Sequence, residues 1–277
     1  MKQLILILFI TLFTLGCDFK QPPVLTDPDL EYDETPVYIE ENANAPYDYE
    51  KFQAVLDISK LQYPDPLQVD YGNFAGFKAA NFYADSNASL YFTTQKEVNE
   101  YKTRSELREG RAWTTASQTG NYWVASLKCL KPAPGVSAYT WMQVHGPNEP
   151  QIHNYPLIRL QWIREYRDEQ QVLQYDHIWA TVIVSEPGEM LIYKNIDLGP
   201  RPDNFFRAEV YFKNNIMDVI INGKVLYTSN VSYWEEVENY FKAGVYINRV
   251  GDGGEATTIF SELYFYDQED DVFYPHH

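Results

Sequence analysis

The chain has 277 residues, 45% of them hydrophobic and 16% aromatic, enough apolar material for one sizeable core. It carries 39 acids against 22 Lys and Arg, a net charge of −17, which excludes a nucleic-acid binder, since that function needs a basic face. The aromatic side chains, 23 of them Tyr, favour half-buried pleated surfaces, so the composition leans towards β structure.

Lys2 precedes an apolar run of 12 residues, 4–15. About 20 apolar residues are needed to span a bilayer, so this run reads as the core of a signal peptide. It ends Thr14-Leu15-Gly16-Cys17, and a small residue followed by Cys resembles a bacterial lipoprotein cleavage box. The expectation is that residues 1–17 are a lipoprotein signal peptide and that Cys17 becomes the lipidated first residue. The protein is then exported and held at the bacterial outer membrane or cell surface, touching membrane only through the anchor; simple secretion is the alternative. Residues 18–50 hold ten acids against one base, Lys20, with Pro and Asn and no period. They read as an extended acidic tether. That segment takes ten acids away from the domain, so a cleft in the domain can still be locally positive.

The domain itself is expected over residues 51–277, as a monomer. Residues 54–60 fit one short helix, and no segment shows a long 3.6-residue period. Strand-length alternating segments follow at 89–93, 121–130, 138–145, 157–166, 178–185, 189–194, 205–213, 216–221, 224–228, 241–248 and 257–267. Asn214-Asn215 and Asn222-Gly223 each sit between β-rich runs and suit two-residue hairpin turns. Many short antiparallel strands in one domain make a sandwich or a barrel. With Cys17 acylated, Cys129 stands alone, so the domain has no disulfide. Its apolar strand context points to a buried inert thiol.

Three segments carry polar residues at alternating positions: Arg104-Ser105-Glu106-Leu107-Arg108, Gln143-Val144-His145 and Tyr240-Phe241-Lys242-Ala243-Gly244-Val245-Tyr246. A strand sends successive side chains to opposite faces. One face therefore collects Arg104, Glu106, Arg108, Gln143, His145, Tyr240, Lys242 and Tyr246; Ser105, Leu107, Val144, Phe241, Ala243 and Val245 take the other. Arg, Gln, His and Tyr gathered from such distant segments are what proton abstraction from an acidic sugar would require.

The same blocks resemble the alginate lyases of polysaccharide lyase family 7. Their pattern is Arg-(Ser/Thr)-Glu-(Leu/Val)-Arg, then Gln-(Ile/Val)-His, then Tyr-Phe-Lys-Ala-Gly-x-Tyr. The resemblance spans roughly residues 65 to 267. It implies an all-β fold, a β-jelly roll sandwich of two antiparallel sheets with a concave substrate cleft. It also implies β-elimination on alginate, an acidic polysaccharide of mannuronate and guluronate, with no cofactor and no metal. Residue by residue it places catalysis on Arg104, Gln143, His145 and Tyr246. Arg108, Lys242, Glu106, Tyr240 and Asn248 then line the cleft, to grip the chain or orient the catalytic groups. Family members often continue Tyr-x-Gln, where this chain has Tyr246-Ile247-Asn248.

The chemistry fits those types. Arg104 offers a planar fork to a uronate carboxylate and Gln143 an amide donor. His145 is the natural base. Tyr246 can protonate the leaving oxygen, and neighbouring cations are expected to lower its pKa enough for it to act as base as well. Blander readings stand beside these: Glu106 as an ion-pair partner between two arginines, Lys242 as a solvated strand residue, Tyr240 as an ordinary sheet aromatic. A second Gln-x-His, Gln151-Ile152-His153, follows a Pro-rich turn and is expected in a loop; His276 and His277 read as a polar terminus. The chain lacks the Glu-x-Asp-x-x-Glu spacing of jelly-roll glycoside hydrolases, zinc-ligand spacing and a phosphate-cradling glycine loop. The rival functions are a lyase of the same fold acting on another uronate polymer, and a surface lipoprotein that binds glycan without cutting it.

Overall fold

The computed structural model describes residues 43–64, 68–146 and 155–267. A helix, α1 (Glu50–Asp57), precedes five short strands: β1 (Ser59–Gln62), β2 (Gln68–Val69), β3 (Phe82–Ala84), β4 (Leu90–Lys96) and β5 (Thr103–Glu109). Longer strands follow: β6 (Asn121–Cys129), β7 (Ala138–His145), β8 (Pro156–Arg167), β9 (Leu173–Ile183) and β10 (Tyr193–Pro200). The last are β11 (Phe206–Lys213), β12 (Ile216–Ile221), β13 (Lys224–Asn230), β14 (Tyr240–Ile247) and β15 (Gly254–Asp267). They form an eight-stranded sheet, β10-β9-β8-β7-β14-β5-β1-β2, and a seven-stranded sheet, β13-β12-β11-β6-β15-β4-β3. The pairings between these strands are antiparallel, as expected from the sequence.

Aromatic rings join the two sheets. Trp141 of β7 meets Trp123 of β6 and Phe206 of β11, with centroids 5.8 and 6.0 Å apart. Phe241 of β14 meets Phe265 of β15 at 5.8 Å and Trp113 at 4.6 Å. Burying a Phe of this kind is worth about 1.5–3 kcal/mol, so these rings fix which face of β7 and β14 turns inward. Phe241, Ala243, Val245 and Ile247 lie in the core, and by alternation Tyr240, Lys242 and Tyr246 face away from it.

Both hairpins form as read. Lys213 pairs with Ile216 around Asn214-Asn215, and Ile221 with Lys224 around Asn222-Gly223; all four turn residues have positive φ. Other boundaries differ. The helix begins at Glu50 and ends at Asp57, because Phe52, Val55 and Leu56 supply its buried side; Lys60 belongs to β1. The acidic segment does not stay extended through residue 50. Asn44 pairs with Ala84, the Tyr49 hydroxyl donates to the Asp85 carbonyl, and Ala43 and Ala45 are buried, so the packed unit starts by residue 43. The strand expected at 189–194 is instead Tyr193–Pro200, and residues 186–189 turn through Gly188 at φ 87°.

Gly244 is the glycine the site needs. Its φ is +144°, and a Cβ there would lie 2.2 Å from the Ser105 carbonyl oxygen and 2.7 Å from the Glu106 Cα. Gly244→Ala is therefore expected to destabilise the fold by roughly 3 kcal/mol or more. Denaturant unfolding checks this, and an unchanged midpoint would show that the strands can part at no cost.

Candidate active site

Strand order puts the three motif strands side by side, with β14 between β7 and β5. Register sets the partners. Tyr246 stands opposite Arg104, Gly244 opposite Glu106, and Lys242 opposite Arg108 on one side and Gln143 on the other. Tyr240 stands opposite His145. All eight residues expected on one face are there together.

They form two layers. Glu106, Gln143 and Lys242 are 1%, 2% and 2% exposed, while Arg104, Arg108, His145, Tyr240 and Tyr246 lie half-buried above them. Glu106 is the hub of the lower layer. Its carboxylate accepts from Gln143 Nε2 at 2.5 Å and Lys242 Nζ at 2.6 Å, and Arg104 Nη1 lies 3.4 Å away. To reach Gln143 it must cross β14, and the residue beside it there is Gly244, which puts no side chain in the way. Of the two roles expected for Glu106 and Lys242, gripping the chain or orienting the catalytic groups, this burial fits the second; it also fits Glu106 as an ion-pair partner and overturns the reading of Lys242 as solvated. They hold one another and Gln143 in place.

Electrostatics follow from the layering. Burial, which outweighs the Glu106 partner, brings Lys242 down to about 8, so it is mostly charged at neutral pH. His145 is brought down to about 4, chiefly by burial and then by the Lys242 charge. Its ring is therefore neutral. Nδ1 lies 2.7 Å from the Gly146 carbonyl, which can only accept, so Nδ1 carries the proton and Nε2 keeps its lone pair. The Tyr240 ring stacks on the imidazole at 5.5 Å and 16°, its hydroxyl 3.2 Å from Nδ1.

Tyr246 departs from expectation. Its pKa is raised, because burial outweighs the Arg104 guanidinium that sits 4.5 Å from its ring centroid. Neighbouring cations do not turn it into a ready base; it keeps its proton. Arg108 stacks on Tyr240 at 4.1 Å, and its buried Nε has no hydrogen-bond partner among the described residues. Asn248 is half-buried just past the end of β14, two residues beyond Tyr246.

This face thus carries a fixed positive patch, with a neutral imidazole towards one end of the motif strands and a protonated phenol towards the other. The family model for alginate lyases matches residues 56–270, most of the chain. The chain belongs to the alginate lyase family. An alginate lyase of Photobacterium sp. (strain ATCC 43367) is 29% identical over 240 residues, covering 73% of this chain and 81% of that protein. The solved structure of the alginate lyase AlyC3 superposes with a TM-score of 0.67 at 26% identity, covering 82% of this chain and 96% of that one. Alginate lyase A1-II', a member of polysaccharide lyase family 7, shares the jelly-roll fold at a TM-score of 0.61 and 20% identity, covering 78% and 97%.

Within this lyase, Gln151 and His153 fall in 147–154, and Cys17, His276 and His277 fall in the terminal segments; all lie outside the described residues. Cys129 is fully buried, and burial pushes its thiol up to about 12, as an inert core residue requires. Two polar neighbours were missed from sequence. Gln62 on β1 accepts from Arg104 Nη1 at 3.4 Å. Arg159 on β8 stands opposite Gln143. The alternation Ile158-Arg159-Leu160-Gln161 marks Arg159 as facing away from the core, but only strand order brings it to the site.

Proposed function

We infer that this lyase cleaves alginate by β-elimination, leaving an unsaturated uronate end, with His145 as base and Tyr246 as acid. The observation that carries this reading is one sheet face that holds a neutral, Nε2-free imidazole, a protonated phenol and one positive patch between them. Arg104 and the second amide N–H of Gln143 supply donors to the uronate carboxylate beside carbon 5. That neutralisation stabilises the charge that develops when the carbon-5 proton leaves, an effect of several kcal/mol in a preorganised site. His145 Nε2 takes the proton, and Tyr246 gives its own to the departing glycosidic oxygen on carbon 4. Glu106 and Lys242 hold the donors; Arg108, Tyr240 and Asn248 are placed to contact flanking sugars. A glycan binder would have no use for this acid–base pair. Incubation with polymannuronate, polyguluronate and glucuronate polymers, followed by the ultraviolet absorbance of the conjugated product, tests the reading. Absorbance from the glucuronate polymer alone would reassign the substrate.

The pH profile has a stated shape. The ratio kcat/KM is expected to rise through about pH 4 as His145 becomes neutral, and to fall near pH 8 as Lys242 loses its proton and Glu106 its cation. Lys242→Arg stays charged and should abolish the basic limb; an unmoved limb would assign it to another group. Stability has the matching sign. His145 lies below its usual 6.5, so the unfolded chain binds the proton first, and stability is lost as pH falls from 6.5 towards about 4.

We further propose that the mature protein is a monomer that begins at lipidated Cys17 and hangs from the cell surface by its acidic segment. The apolar run at 4–15 followed by Gly16-Cys17 supports this, and no helix of the described residues is long and apolar enough to cross a membrane. Cys17→Ser should release soluble protein or stall unprocessed. Membrane fractionation with the parent's mature mass would contradict the anchor.

A further inference from the structure

The ladder between β14 and β7 slips just before Tyr246. Lys242 stands opposite Gln143 and Ala243 opposite Met142, but the next pair is Tyr246 with Thr140. Gly244 and Val245 of β14 therefore face Trp141 alone, a bulge of the kind that re-aims the side chain that follows. The pair of Tyr246 with Thr140 is also the last of this ladder. Tyr246 is thus secured to β7, the strand of Gln143 and His145, by one pair beyond a slip.

Asp252 supplies what the ladder lacks. It lies in the turn between β14 and β15 and is 6% exposed. Its carboxylate accepts from the backbone N–H groups of Ser137 at 2.8 Å and Ala138 at 3.4 Å, and from Ser137 Oγ at 2.7 Å. Ala138 begins β7, two residues from Thr140. So where β14 stops pairing, the chain that follows it reaches back through this carboxylate to the same strand. Two charged oxygens can serve these three donors, whereas an amide offers one acceptor oxygen. The main chain of the turn is gripped as well. Lys96, at the end of β4 and 1% exposed, donates from Nζ to the Asp252 carbonyl at 2.7 Å, and the Gly253 N–H donates to the Gly135 carbonyl at 3.1 Å.

We propose that Asp252 is a positioning residue for the general acid: its carboxylate ties the end of β14 to the start of β7 and so sets where the Tyr246 hydroxyl stands relative to Gln143 and His145. This rests on the reading of Tyr246 as acid and His145 as base. A proton donor must meet the departing oxygen, and a misplacement of about 1 Å can cost roughly 10²-fold in rate. His145 is held separately at the other end of β7, by the Gly146 carbonyl and the Tyr240 hydroxyl. Loss of the tie should therefore impair bond cleavage while proton removal continues.

The experiment compares Asp252→Ala, Asp252→Asn, Tyr246→Phe and the double variant Asp252→Ala with Tyr246→Phe against the parent. Three quantities are read: unsaturated product from alginate, deuterium uptake at carbon 5 of uncleaved polymer in deuterated water, and the thermal unfolding midpoint. Well below its midpoint, Asp252→Ala is expected to lose turnover about 10²-fold and still to exchange the carbon-5 hydrogen. The double variant is expected within about threefold of Tyr246→Phe alone, because residues that act as a unit are not additive. Asp252→Asn keeps the shape and one acceptor oxygen, so it keeps the test informative if Asp252→Ala folds poorly. Its expected loss is about tenfold, the scale of one charged hydrogen bond, with exchange retained. Parent turnover in both Asp252 variants would overturn the positioning role. So would exchange that disappears together with cleavage, or a double variant reduced by the product of the two single losses. Parent turnover in Tyr246→Phe, or a parent that yields no chromophore from any polyuronate, would instead overturn the functional reading beneath it.

Discussion

Tyr246→Phe is expected to lose turnover by about 10³ while folding as the parent does, since general acid–base groups typically contribute about 10² to 10⁴. The substitution is a clean one. Arg104 stacks on the ring of Tyr246 at 4.5 Å, and a phenyl ring preserves that contact. Nor is a hydrogen bond to another described side chain lost, so the missing proton is the main change. His145→Ala should fall as far, because the neutral imidazole is the acceptor poised by Gly146 and Tyr240. Rates of unsaturated-product formation at saturating alginate, with unfolding midpoints beside them, decide the matter. A Tyr246→Phe enzyme within tenfold of the parent would remove Tyr246 from the chemistry.

Glu106→Gln carries the second large effect, on stability and activity together. The parent carboxylate neutralises Lys242 at 2.6 Å, faces Arg104 and accepts from Gln143, all with 1% of Glu106 exposed. Removing one partner of a buried ion pair costs roughly 3–5 kcal/mol, because the other charge is left uncompensated. Lys242 is then expected to shed its proton, and Gln143 and Arg104 to lose their fixed orientation. Glu106→Gln combined with Lys242→Met should recover stability, since no buried charge remains, but not activity, since the orienting carboxylate is still missing. Recovery of both would reduce Glu106 to an ion-pair partner and nothing more.

The legible parts of this molecule were those written in a period of two. Alternation alone assigned Arg104, Glu106, Arg108, Gln143, His145, Tyr240, Lys242 and Tyr246 to one face, because the core side of β5, β7 and β14 is filled by residues such as Leu107, Val144 and Phe241. Hairpin turns at Asn214 and Asn222 were legible for an equally local reason, positive φ. What sequence could not supply was depth. Lys242 is flanked by aromatic and small residues in a pattern that also fits a solvated strand, and only the layer above it makes it a buried cation. The same blindness misjudged Tyr246: its cationic neighbours were foreseeable, but the burial that overrides them was not. Arg159 escaped because only the lie of β8 against β7 brings it opposite Gln143. Strand β10 was misplaced because Asn195, Asp197, Gly199 and Pro200 are turn formers, yet pairing with β9 carries the strand through them, with a bulge between Asp197 and Gly199.

The central claim is a division of labour, with His145 removing the carbon-5 proton and Tyr246 protonating the leaving oxygen. Hydrogen exchange at carbon 5 separates the two steps. Alginate is incubated in deuterated water with the Tyr246→Phe and His145→Ala enzymes, and the recovered uncleaved polymer is examined for deuterium at carbon 5. Tyr246→Phe is predicted to exchange that hydrogen without cleaving the chain, and His145→Ala to do neither. Exchange that persists in His145→Ala and vanishes in Tyr246→Phe would contradict the account and make the tyrosine the base.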